Sequence, residues 1–306
     1  MRHVSRHPAG AHAFRKVNRS HTAHLRAATG IAWLTVAGSL ALMLVLSGLL
    51  FAMRGKAGPA SGQPLVVFCA AGIRAPVEAV ARAYERETGV GVQLQFGGSQ
   101  TLLANLEISK TGDLYIPADE SYLALAQTKR LTRESIPLAR MHAVLAVPKG
   151  NPKRLMSLAD VTRDGVRLAQ ANPDAAAVGK LVREALQKSG QWDAVAARTV
   201  VFKGTVNDVA NDVKLGTVDA GFIWDAMRGL YPDIETVELP ELAGVEARIS
   251  AAVLASAKDP AAALRFALFL GARDKGLPEF QRAGYEVVGD GEWAERTPLL
   301  ETAPAR

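Results

Sequence analysis

Four short segments of the chain each read as a strand running straight into the first turn of a helix: 66–72 (VVFCAAG), 93–99 (QLQFGGS), 203–206 (KGTV) and 221–225 (GFIWD). A helix start presents backbone N–H groups without intrahelical partners, and it carries the positive end of the helix dipole. Several such ends aimed at one point hold an anion with no catalytic residue at all. Gly72 permits either a tight turn or a close approach of ligand to backbone. Ser99 has the residue type of an N-cap. Trp224 at a strand end offers one indole N–H, or simple packing.

Covalent chemistry finds little material. The part after residue 56 holds one histidine, His142, and one cysteine, Cys69, both within expected strands rather than at strand ends. It contains no nucleophile elbow, no P-loop and no Gly-x-Gly-x-x-Gly after a strand. Asp113, Asp119 and Asp225 are the carboxylates placed to act, but nothing pairs them. Cys69, the only cysteine in the chain, excludes an intrachain disulfide and a Cys-rich metal site. On an apolar strand it reads as a small buried hydrophobe. The other five histidines (His3, His7, His12, His21, His24) fall in the first 30 residues at spacings that match no standard ligand pattern. No metal, cofactor or catalytic residue is therefore expected.

The formal net charge of +6 belongs to one end of the chain. Residues 1–56 hold eight Lys or Arg and no Asp or Glu, leaving 28 basic against 30 acidic residues in 57–306. The main part is close to neutral, which removes the electrostatic footprint of a nucleic-acid binder. Residues 31–53 (IAWLTVAGSLALMLVLSGLLFAM) form an uncharged apolar run of 23 residues, more than the ~20 that cross a bilayer as a helix. The run is longer than the core of an ordinary signal peptide, and its basic leading flank keeps the N-terminus cytoplasmic. An uncleaved anchor is the expectation, with a long cleaved signal peptide as the alternative. Both put the bulk of the chain outside the cytoplasm.

These features divide the chain into a basic cytoplasmic arm (1–30), a transmembrane anchor (31–53), a Gly/Pro/Ser/Ala linker (54–64), a folded part and a tail (291–306). From Leu65 onward strands and helices alternate, the pattern of an α/β fold. Val77, Val80, Ala81 and Tyr84 give one face of a first helix that follows Gly72 and stops near Gly89. Leu102, Leu103 and Leu106 face inward from a second, with Ser99 as its N-cap. Strands are expected at 113–116, 143–148, 166–169 and 249–254. Further helices are expected from about Val178, from Thr205 with its Thr-x-x-Asp capping form, from Pro260 to about Gly271, and around 279–283. Trp192 reads as packing at a helix end.

In this order the segments VFCAAG (67–72), FGGSQTL (96–102), GDLYIPAD (112–119), Asn172-Pro173 with Gly179, VDAGFIW (218–224) and FQRAGY (280–285) make residues 65–290 resemble the periplasmic molybdate-binding proteins of ABC importers. The resemblance implies a two-lobed periplasmic-binding-protein-like fold with two crossover segments, lobe 1 being 65–142 with 249–290 and lobe 2 being 143–248. It also implies closure on a tetrahedral oxyanion held by backbone N–H groups and hydroxyls. Carried over by position, Gly72 and Ser99 line the cleft from the first lobe, and Val178, Val206 and Trp224 from the second. A Ser is usual where Gly72 stands, and a Tyr where Trp224 stands. Arg74, in the same loop as Gly72, is a candidate for a positive charge at the cleft mouth. Asp225 is a candidate acceptor for a protonated anion.

A divalent oxyanion held only by donors must be fully deprotonated, as molybdate, tungstate and sulfate are near neutral pH. The expectation is an extracytoplasmic solute-binding protein, monomeric in its binding domain, that takes molybdate or tungstate. It would deliver the anion to a transmembrane permease driven by an ATPase. The alternative is a membrane-tethered sensory ectodomain for another small anion or solute.

Overall fold

The fold is that of a computed structural model. The structure describes residues 63–288 and Met43. The expected arm, anchor, most of the linker and the tail lie outside the described residues. Among the described residues no helix is long and apolar enough to cross a membrane.

Lobe 1 opens with β1 (Leu65–Ala70), a single 3-10 turn (Ala71–Ile73) and α1 (Arg74–Thr88). The helix stops where Gly89 takes a left-handed conformation, φ 71°. The predicted stripe Val77, Val80, Ala81 and Tyr84 is buried, and the Tyr84 ring packs on Phe266 and Phe269 of α8 (Pro260–Gly271). Each such apolar side chain stabilises the fold by roughly 1.5–3 kcal/mol when fully buried, which fixes the helix on the sheet. β2 (Val92–Gly97), α2 (Ser99–Ser109), β3 (Leu114–Ile116) and α3 (Glu120–Thr128) follow.

β4 (Thr132–Pro148) is one of the two strands that join the lobes. It pairs with β9 (Glu246–Leu254) as far as His142, and with β7 (Ala220–Trp224) and β8 (Ile234–Val237) from Ala143 onward. The sequence pattern predicts only its second half, 143–148. The first half carries Arg133, Glu134, Pro137 and Arg140, and it holds register on β9 only through two irregularities, between Thr132 and Ser135 and between Pro137 and Ala139. A bulge tolerates the proline that a regular ladder rejects, and so the apolar alternation is lost.

Lobe 2 contains α4 (Leu158–Val161), β5 (Leu168–Ala171), α5 (Ala177–Lys188), α6 (Trp192–Arg198), β6 (Thr199–Lys203) and α7 (Val206–Lys214). β5 begins two residues later than the expected 166–169. Val166 N–H is taken by the Arg163 carbonyl in a turn, and Arg167 N–H by the Asp219 carboxylate. Trp192 packs against the core from a helix end, the first residue of α6. α9 (Leu277–Arg282) and β10 (Glu286–Val287) return to lobe 1. One mixed sheet runs β2-β1-β3-β9-β4-β7-β5-β6, with β8 and β10 also paired to β4. The β1–β2, β1–β3, β5–β6 and β5–β7 pairs are parallel, so the helices that follow β1, β2 and β6 start at the same ends of their strands.

Candidate functional site

On the lobe 1 side, β1 and β2 each deliver the chain to a helix start. Gly72 sits buried in the 3-10 turn, and its carbonyl accepts the hydroxyl of Tyr285. At the second junction the N-cap is Gly98, in extended conformation (φ −70°, ψ 147°), and no side chain caps the helix. Ser99, expected as the cap, is instead the first helical residue. Its hydroxyl oxygen accepts Ala118 N–H at 3.1 Å, and its carbonyl accepts the Tyr115 hydroxyl at 2.7 Å. The physical reason is reach: from the first helical position the serine side chain turns toward β3 and its following loop, not onto the helix's own N–H groups. Ser99 is buried, and with its oxygen occupied it keeps its proton to donate.

On the lobe 2 side, α5 starts after Ala176, again with no side-chain cap. Val178 is the second residue of α5, and it is buried. α7 is capped by Thr205, whose hydroxyl oxygen accepts Asp208 N–H at 3.3 Å while donating to the Asp208 carboxylate at 2.6 Å. Val206 is its first residue. Trp224 ends β7, and the turn after it, Asp225–Leu230, is 3-10.

These pieces meet. Gly72, Ser99, Val178, Val206 and Trp224 all line one cavity of about 10 Å³, together with Gly97, Gly98, Ala118 and Thr205. None of the described residues lining it is charged. Three helix starts and the 3-10 turn therefore converge from both lobes on one small neutral space, the arrangement that favours an anion through dipoles and N–H groups alone.

The two charged candidates stand elsewhere. The Arg74 guanidinium lies 4.1 Å from the Phe96 ring centroid and 4.0 Å from Glu78, outside the cavity lining. The Asp225 carboxylate accepts the backbone N–H groups of His142 (2.9 Å) and Ala226 (2.7 Å), and it lies 3.4 Å from His142 Nδ1. It lines a separate cavity beside β4. No carboxylate is thus presented to a proton on a ligand among the described lining residues.

Behind the site, burial pushes the Tyr115 and Tyr285 phenols well above their usual range, helped for Tyr285 by Cys69 and Asp225. Both stay protonated and remain donors to the Ser99 and Gly72 carbonyls. Burial likewise keeps the Cys69 thiol neutral. Sequence reasoning missed these two tyrosines and Ala118. Tyr115 and Tyr285 carried a signal only as members of the segments that resemble the family, and their hydroxyls had no visible partner along the chain.

The lobes are closed on each other. Gln100 N–H donates to the Ala175 carbonyl across the cleft at 3.0 Å. Lys180 Nζ donates to Ser121 Oγ at 2.7 Å and lies over the Tyr122 ring at 4.8 Å. A Cβ built on Gly98 would lie 2.4 Å from the Ala175 carbonyl oxygen and 2.7 Å from that of Gly204.

A profile of the family described as bacterial extracellular solute-binding protein matches residues 65–286. The molybdate-binding protein ModA of Mycobacterium tuberculosis H37Rv is 28% identical over 244 residues, covering 76% of this chain and 91% of that protein. Among solved structures, the periplasmic molybdate-binding protein of Azotobacter vinelandii superposes with a TM-score of 0.62 at 19% identity, over 74% of this chain and all of that one. The sulfate-binding protein SubI of M. tuberculosis superposes with a TM-score of 0.64 at 17% identity, over 78% and 92%. These structures share the two-lobed fold. With the match spanning both lobes and every wall of the cleft, the chain belongs to the bacterial extracellular solute-binding protein family, whose work is binding and not catalysis.

Proposed function

We propose that this protein captures a fully deprotonated tetrahedral oxyanion, molybdate or tungstate, between its lobes and presents it to an ABC permease. The observation that carries the reading is the convergence of helix starts from both lobes, two of them without side-chain caps, on a cavity with no charged lining residue. The relatives named as molybdate-binding proteins support the same ligand class. Gly72, Ser99, Val178, Val206 and Trp224 form the binding wall in this reading. Arg74 and Asp225 do not touch the ligand.

A cavity of about 10 Å³ is close to the size of a single water. Seating four oxygens requires the Trp224 indole to turn aside once the ligand has entered between parted lobes, which then close again at Gly98. The walls belong to different lobes joined through β4 and β9, so the fold supplies that motion. Capture is then binding and lobe closure, with no chemistry on the ligand. Lobe 1 is taken as 65–142 with 249–290, and lobe 2 as 143–248. Residues 31–53 tether the binding unit outside the cytoplasm, which raises its concentration near the permease and its ATPase. Cleavage after that run would leave a free periplasmic protein with the same site.

Isothermal titration of the full chain with molybdate, tungstate, sulfate and phosphate tests this. One-to-one binding of molybdate or tungstate, weaker sulfate and no phosphate is expected. No heat with any of the four overturns the oxyanion reading and favours a different small solute.

A further inference from the structure

Lys180 stands in the first turn of α5, two residues on from Val178 of the cavity lining, and Ser121 stands in the first turn of α3, three residues on from Ala118. Across the cleft the Lys180 ammonium donates to Ser121 Oγ at 2.7 Å and lies 4.8 Å from the centroid of the buried Tyr122 ring. Ser121 N–H is engaged by the Asp119 carboxylate at 3.0 Å, which fixes the serine in the helix cap while its hydroxyl oxygen serves lobe 2. On its own helix, Lys180 finds only Glu184, one turn on at 4.0 Å, the outer limit of an ion pair. A cation in the first turn of a helix opposes the dipole, so α5 itself gives Lys180 little. Its good contacts, a short hydrogen bond and an aromatic face, belong to the other lobe.

We propose that Lys180 is a positioning residue that latches the closed lobes. With the lobes parted, its ammonium falls back to Glu184 on the same helix; with the lobes closed, it moves to Ser121 and the face of Tyr122. Lys180 is not among the residues lining the cavity, so it slows escape of the ligand without touching it. A dianion held at the helix starts offsets the dipole that opposes Lys180, and ligand and latch therefore reinforce each other. Only 27% of the side chain is exposed, which limits solvent screening of these contacts. The inference rests on capture by lobe closure as read above, and not on which anion is bound.

Stopped-flow mixing of the full chain with molybdate, followed by tryptophan fluorescence, reads association and dissociation separately. Lys180→Met keeps the apolar stem and loses the ammonium. It should raise the dissociation rate and the dissociation constant about tenfold, with association changed less than about threefold. The melting temperature of the ligand-free protein should stay the same, because the contact joins two lobes and holds neither together. Ser121→Ala should raise the dissociation rate about threefold to tenfold, and the double variant should be no worse than Lys180→Met alone. An unchanged dissociation rate in Lys180→Met, a loss carried by association, or losses that multiply in the double variant overturn the latch. Closure is also read without ligand, from the distance between spin labels on Ile108→Cys in lobe 1 and Leu215→Cys in lobe 2, both exposed positions; Cys69 is buried and stays unlabelled. Lys180→Met should shift that distribution to longer distances. If the wild type binds none of molybdate, tungstate, sulfate and phosphate, the oxyanion reading falls and the label distances decide the latch: a shift in Lys180→Met sustains it, and identical distributions overturn it.

Discussion

Gly98→Ala is the sharpest probe of lobe closure. The residue has φ −70° and ψ 147°, a conformation open to any L-residue, so alanine strains nothing in the backbone. The nearest atoms to the added Cβ are all in lobe 2: Ala175 O at 2.4 Å, Gly204 O at 2.7 Å and Ala175 C at 3.0 Å. They are backbone atoms and cannot swing aside. Restoring even a 3.0 Å separation from the Ala175 oxygen parts the lobes by about 0.6 Å. That movement stretches the Gln100 N–H to Ala175 bond, now 3.0 Å, toward the limit of a useful hydrogen bond. Overpacking costs about 1–3 kcal/mol and the lost bond about 1 kcal/mol, together roughly a thirty- to thousandfold loss of ligand affinity. Fold stability should hardly move, because the clash exists only between lobes. Isothermal titration with molybdate and a thermal melt of the unliganded protein read the two effects separately. A dissociation constant within threefold of wild type would refute the reasoning, since the liganded lobes would then stand apart at Gly98 already.

Three further outcomes are expected. Ser99→Ala removes one donor from the wall and should weaken molybdate binding by about 1 kcal/mol or somewhat more; unchanged affinity in titration would mean the cleft is misplaced. Tyr285→Phe leaves the buried Gly72 carbonyl without its donor and should cost about 1–3 kcal/mol in thermal or urea unfolding, with a parallel loss of affinity as the 3-10 turn shifts. For Asp219, burial raises the carboxyl, but the hydrogen bonds and charge of Arg167 outweigh it and hold the group below the usual carboxylate range. Its stabilisation is therefore full above the unfolded pKa of about 3.9 and fades as pH falls through the lower folded value. Asp219→Asn should accordingly be less stable than wild type in urea at pH 7, with the gap narrowing as pH falls below about 3.9; a constant gap would show that charge plays no part.

What the sequence made legible was local. The stripes on α1 and α2 repeat at helical spacing and are buried as expected, and Thr205 caps α7 because its hydroxyl oxygen and the Asp208 N–H that donates to it lie within one turn. β4 was half hidden, since a strand that passes through two irregularities around Pro137 has no clean alternation to read. Ser99 shows how a correct residue type can carry the wrong local role. Its hydroxyl serves Ala118, 19 residues away, and Gly98 takes the cap. The misreading has a cause, because serine satisfies a cap and a cross-element bond equally well and only the position of β3 decides between them.

The cleft itself could not be read in that way, because its defining distances run between lobes. Gly98 looks like a flexible turn residue until the Ala175 and Gly204 carbonyls stand against it. Gly72 looks like a lost hydroxyl until Trp224 fills the space beside it. Each glycine is local in sequence and bilateral in function: it sets how near the second lobe can come. Affinity in such a site depends on donors that point correctly and on walls that meet. The first condition is carried by helix starts, whose geometry is encoded within a few residues. The second is carried by β4 and β9, which set the lobe separation from more than 100 residues apart in the chain. A substitution in those two strands, far from every ligand donor, should therefore change affinity through closure alone, leaving the donor set intact.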